Sequence, residues 1–151
     1  MAVIHRSARV PYSGDQMLAL VNDIDSYPDF LHWCHAARIE GASGDTVEAA
    51  LEIGISGIYK TIRTRNTTTA DKGASDPAEI RIEMLEGPLK SLQGSWTFVD
   101  RPGGGCDVEL ELEYEVHLSP LGFILRSLFD EIANSQLNAF VRRAGVVYGE
   151  V

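Results

Sequence analysis

A chain of 151 residues with 44% hydrophobic and 23% charged side chains has the size of one domain, able to bury roughly two thirds of its unfolded surface without disulfides or a structural metal. Its 22 acidic residues against 13 basic ones give a formal net charge of −9, a field that repels phosphate backbones and excludes broad electrostatic binding to DNA, RNA or an anionic membrane. Two cysteines are far from the density of a secreted disulfide scaffold, the start has no apolar run of signal-peptide length, and no stretch approaches the roughly 18 apolar residues of a membrane span, so a soluble, cytoplasmic protein without an integral membrane segment is expected.

Ile4 to Val10 reads as a first strand, and Ser13 as the cap of a helix carrying Met17, Leu18, Leu20 and Val21. The segment Ile24 to Cys34 then crowds Tyr27, Phe30 and Trp33 around Pro28, which introduces a short second helix. Each large ring buries roughly 150–250 Å². Such a cluster closes an apolar space, either as a corner that caps the core or as the mouth of a cavity. His32, Cys34 and His35 stand close in sequence, but three ligands within four residues cannot converge on one ion without an unusual turn, so no metal site is expected.

Strands follow. Asp107 to Leu118 alternates Val108, Leu110, Leu112, Tyr114, Val116 and Leu118 with Glu109, Glu111, Glu113, Glu115 and His117, which means one buried and one wet face. The same period of two appears in Val47 to Ile55, in Ile80, Ile82 and Met84, and in Leu92, Trp96 and Phe98. Turn residues at Gly41 to Asp45, Ser56 to Gly57, Lys72 to Pro77, Gly87 to Pro88 and Pro102 to Gly105 separate them as in an antiparallel meander. Arg63 and Arg65 share one strand; with Arg142 and Arg143 near the C-terminus they are the candidates for a local basic patch on an acidic protein, against a default of solvated surface charge.

Ser119 followed by Pro120 starts a helix, and the apolar residues from Leu121 through Ile124, Leu125, Leu128, Phe129, Ile132, Ala133, Leu137, Phe140, Val141 and Ala144 to Val147 recur at three- and four-residue steps. The helix spans about 28 residues, roughly 40 Å, and must lie across the whole sheet. The expected fold is therefore α+β, one domain over residues 1–151, with a curved antiparallel sheet of about seven strands, two short helices after the first strand and a long C-terminal helix. A sheet wrapped around a helix need not fill its interior, and small residues at Ala49 and Gly94 leave room for an apolar pocket beside Trp96 and Phe98. That lining holds no Ser-His-Asp set, acidic pair or Gly-rich phosphate loop, so no catalysis and no required cofactor are expected. Cys34 and Cys106 read as small apolar fillers rather than a bridge.

The ordered set Val10-Pro11-Tyr12-Ser13, Val21-Asn22-Asp23, Ser26-Tyr27-Pro28, Phe30-Leu31 and Trp33-Cys34, continued by Thr64-Arg65-Asn66, Gly87-Pro88, Leu92 with Gly94 and Trp96, Phe98, Cys106, Tyr114 and Ala139-Phe140, resembles the START-like or helix-grip superfamily. Within it the chain is similar to the group uniting coenzyme Q-binding proteins with the ribosome association toxin RatA. His32 stands where that group often has proline, which loosens the turn before Trp33.

The resemblance implies a hydrophobic tunnel for ubiquinone or a related polyprenyl lipid, an accessory role in respiratory electron transfer, a position peripheral to the inner membrane through transient contact, and no catalysis. Tyr27, Phe30 and Trp33 would form the mouth, and Met84, Trp96, Phe98, Tyr114 and Phe129 the wall. The RatA branch instead implies binding to the large ribosomal subunit and interference with subunit association, through a patch at Arg63, Arg65, Arg142 and Arg143. A polyketide cyclase or aromatase shares the fold but needs polar pocket groups that the sequence does not place.

Overall fold

Alternation in the strand Cys106–Glu115 buries Val108, Leu110, Leu112 and Tyr114 on one face and turns the glutamates outward. In the computed structural model, which describes residues 1–55, 57–69 and 77–149, that strand is the last of seven: β1 (Ala2–Val10), β2 (Cys34–Ser43), β3 (Thr46–Ile55), β4 (Ile58–Thr69), β5 (Ala78–Glu86), β6 (Ser91–Asp100) and β7 (Cys106–Glu115). All pair antiparallel in the order β1-β7-β6-β5-β4-β3-β2. Strands β2 to β7 are a meander, and β1 lies beside β7 with Ala2 opposite Tyr114 and Val10 opposite Cys106. The expected loop Lys72 to Pro77 and Ser56 of the preceding turn fall outside the described residues, Pro77 excepted.

Because β1 and β2 occupy opposite edges, the chain between them must cross the sheet. It does so as α1 (Gly14–Asn22) and a 3-10 helix (Ile24–Asp29). Ser13 and Gln16 form a reciprocal cap: the Ser13 hydroxyl accepts from the Gln16 N–H at 3.1 Å, and the Ser13 N–H donates to the Gln16 side chain at 2.9 Å. The aromatic segment, expected as a second helix, winds more tightly because Pro28 lacks a donor and six residues are too few for stable α-helical turns.

The long helix α2 (Pro120–Tyr148) begins at Ser119, whose hydroxyl accepts from the Gly122 N–H at 3.0 Å. Its 29 residues span about 43 Å at 1.5 Å each. Leu125, Leu128, Phe129, Ile132, Ala133, Leu137, Phe140 and Ala144 form its buried stripe. Its far end is tied to α1, since the Tyr148 hydroxyl donates to the Gln16 carbonyl at 2.8 Å and the Tyr12 hydroxyl to the Gly149 carbonyl at 2.9 Å.

Several boundaries differ from the sequence reading. The last strand stops at Glu115, and Leu118 is 89% exposed, because the chain turns at His117 and Ser119 to start α2. Leu121, Ile124 and Val147 lie outside the buried stripe of α2 and face solvent. Strand β2 is an edge strand with register shifts at Cys34/Ala36 and Ile39/Gly41. Gly94 does not leave room in the interior: a Cβ there would lie 2.3 Å from the Glu111 carbonyl, so the glycine permits close approach of β6 to β7. Ala49, in contrast, is buried on the inner face of β3.

Candidate functional site

The inner faces of β3 to β7, the 3-10 helix and the middle of α2 enclose a cavity of about 80 Å³. Tyr27, Trp33, Trp96, Tyr114 and Phe129 all line it. Phe30, Met84 and Phe98 do not, and each has a physical reason to lie elsewhere. Phe30 packs edge-on against Phe140 at 5.1 Å, outside the cavity, with the Arg143 guanidinium 5.0 Å over its ring. Phe98 stacks on Trp96 at 6.3 Å on the side toward α1, where its Cβ lies 3.5 Å from the position a Cβ on Gly14 would take. Met84 follows a register shift at Arg63/Thr64 and packs beneath Gly87.

The aromatic corner is a closed part of the core, not an open mouth. Tyr27 and Trp33 are both buried, and the Tyr27 hydroxyl donates to the Val21 carbonyl. Phe140 on α2 joins the corner to the sheet, with centroids 5.5 Å from Tyr27 and 5.1 Å from Trp96. On the other side of the cavity the Tyr114 hydroxyl donates to the Asp130 carboxylate of α2. Burial pushes both phenols well above their ordinary range, and the Asp130 carboxylate raises Tyr114 further, so both stay protonated.

Thr64 and Asn66 are among the lining residues that the sequence reading did not place in the cavity. Thr64 and Asn66 are buried on the inner face of β4, beside Ile62, while Arg63 and Arg65 point out. The signal was present in the period of two through Ile62, Thr64 and Asn66, but polar residues do not announce an inner face. Asn66 Oδ1 and Trp33 Nε1 are buried with no hydrogen-bond partner among the described residues. Among the described residues lining the cavity there is no carboxylate, imidazole, thiol, ammonium or guanidinium.

His32, Cys34 and His35 diverge. His32 Nε2 lies 3.3 Å from Glu131 Oε1, the Cys34 thiol donates to the Ala36 carbonyl, and His35 Nε2 lies 3.1 Å from the Gly54 carbonyl. Burial pushes the Cys34 and Cys106 thiols up to about 11.

The four arginines divide. Arg63 sits between Glu40 at 3.0 Å and Glu86 at 3.1 Å, and Arg65 between Glu83 at 3.1 Å and Glu48 at 3.4 Å. These cross-strand pairs cancel the charge that a basic patch on the outer face would need. Arg142 and Arg143, two and three residues beyond Phe140 on α2, make no ion pair with a carboxylate among the described residues.

An antiparallel sheet closed over a long C-terminal helix, with an apolar cavity between them, is the START or helix-grip architecture. A START superfamily protein from Mycobacterium smegmatis superposes with a TM-score of 0.78, covering 96% of this chain and 98% of its own at 17% identity. The family of polyketide cyclase / dehydrase and lipid transport proteins matches residues 10–141, and the chain belongs to that family. Within it, the chain falls in the group of RatA and the coenzyme Q-binding proteins. It is similar to the ribosome association toxin RatA of Vibrio cholerae, 37% identical over 150 residues that cover 99% of this chain and 100% of the relative. It is more distantly similar to the mitochondrial coenzyme Q-binding protein COQ10 homolog B of Xenopus laevis, 22% identical over 91% of this chain and 56% of that protein. Among the described residues no helix is long and apolar enough to cross a membrane.

Proposed function

We propose that the protein is a ribosome-association factor of the RatA kind, which binds the large ribosomal subunit and interferes with subunit association without a catalytic step of its own. The observation that carries this reading is end-to-end similarity at 37% identity to a protein named for ribosome association. Arg142 and Arg143, the latter over Phe30, have no ion pair among the described residues and are the contact surface that fits it best, because the other two arginines are already neutralised. With a net charge of −9 on the chain, these two arginines confine any contact with rRNA phosphate to one local, salt-sensitive point.

The ubiquinone reading, placed first by the sequence, has less support. Its relative is distant, and a cavity of about 80 Å³ is well below the roughly 300–1,000 Å³ of ordinary ligand pockets, too small for a polyprenyl quinone. The test is sedimentation of purified large subunits with the protein at low salt, followed by the effect on re-association with small subunits. Co-sedimentation and a fall in associated ribosomes are expected; protein that stays in the supernatant at low salt refutes the reading.

A further inference from the structure

We propose that the surface groove at the start of α2 docks an acidic amphipathic helix of a partner protein. The end of β7, the turn before β6 and the first turns of α2 meet there, and the Lys90 N–H donates to the Glu115 carbonyl at 2.9 Å. Met1, Leu118 and Phe123 supply the apolar part of a space of about 360 Å³. Leu118 is 89% and Phe123 59% exposed, and Leu121 and Ile124 extend the apolar surface along α2. Large apolar side chains left uncovered side by side mark an interaction site. At the ~150 Å³ that accepts benzene in an engineered cavity, the groove has room for two apolar anchors.

Charge selects the occupant. Lys90 and Arg126 border the groove against one carboxylate, Glu115, on a chain whose net charge is −9. Lys90 Nζ lies 3.8 Å from Glu115 Oε1, beyond hydrogen-bond distance. Arg126 gives its Nε to Asp130 at 3.3 Å, and its terminal nitrogens make no hydrogen bond among the described residues. The first turn of α2 has no acidic residue, so the positive end of its dipole has no carboxylate of its own. Glutamates flanking the apolar anchors of a partner would meet all three. The backbone at the groove is already paired, at Lys90, Ser119 and Phe123, so it presents side chains rather than a free strand edge. That matches a helix, which brings its anchors on one face and satisfies its own backbone. Phe123 and Arg142 are about 28 Å apart along α2, so this surface is separate from the ribosome contact and stands or falls without it.

The test titrates the intact ¹⁵N-labelled protein, at low ionic strength, with two synthetic helical peptides. Both carry leucines at i, i+3, i+4 and i+7, and they differ only in having glutamate or lysine at the flanking positions. Saturable shifts of the Leu118 and Phe123 amides, with at least tenfold tighter binding of the glutamate peptide, are expected. Leu118→Ser with Phe123→Ser should abolish binding, and Lys90→Glu with Arg126→Glu should invert the preference. Equal binding of both peptides, or no shift at Leu118 and Phe123, overturns the proposal. So does self-association in the ultracentrifuge, or binding to phosphatidylglycerol vesicles, that Phe123→Ser abolishes while neither peptide binds; these assign the groove to a second copy or to a lipid surface. The wild-type titration alone decides this if a variant fails to fold.

Discussion

The Phe140 ring of α2 meets Trp96 of β6 edge-on, with centroids 5.1 Å apart and planes at 75°. Tyr27 and Phe30 close on the same ring at 5.5 and 5.1 Å, so one side chain joins the helix, the aromatic corner and the sheet. Edge-to-face pairs of this kind add to the area that each ring buries.

Phe140→Ala should therefore cost about 3–5 kcal/mol, at the upper end for a core truncation, because the cavity it leaves is walled by rigid rings on three sides. Urea unfolding followed by tryptophan fluorescence measures it. A loss below about 1 kcal/mol would show that the ring is not the joint described.

The split among the arginines predicts a split in ribosome binding. Reversing both charges on α2, Arg142→Glu with Arg143→Glu, should weaken co-sedimentation with the large subunit at least tenfold. Arg63→Met with Arg65→Met should leave it within about twofold and change stability by no more than about 1 kcal/mol, since exposed pairs contribute little. The reverse pattern would move the contact to the outer face of the sheet.

Much of this was legible in the sequence, and what was not has common physical causes. The alternation of β7, the caps at Ser13 and Ser119 and the stripe of α2 are strong periodic or capping signals, and they locate the fold. Strand β2 carries little alternation because it is an edge with two register shifts and mostly exposed residues. The cavity was harder: large apolar side chains pointed to Phe30, Phe98 and Met84, whereas part of the wall is polar and comes from β4, whose inner residues include Thr64 and Asn66. Periodicity identifies which face a residue takes, but hydrophobicity had been used to decide which face is inside.

The two thiols give a pH prediction. Burial raises Cys34 and Cys106 from an ordinary value near 9 to about 11, so the folded state holds its thiol protons more tightly than the unfolded chain. Their contribution to stability is complete below pH ~9 and is lost as pH rises from there through about 11. Unfolding midpoints in urea should fall across that window, and Cys34→Ala with Cys106→Ala should flatten the fall. At pH 8 a thiol reagent should label neither cysteine until the chain unfolds.

Asn66 carries a cost to the fold. A buried acceptor without a partner carries a desolvation penalty of about 1–3 kcal/mol, and leucine offers nearly the same volume without the polar atom. Asn66→Leu should therefore raise stability by about 1 kcal/mol, read as a higher Tm. A residue whose removal strengthens the fold is retained for something other than the fold. If Asn66→Leu instead lowers Tm by several degrees, the amide oxygen has a structural partner, and the polar wall of the cavity belongs to the core.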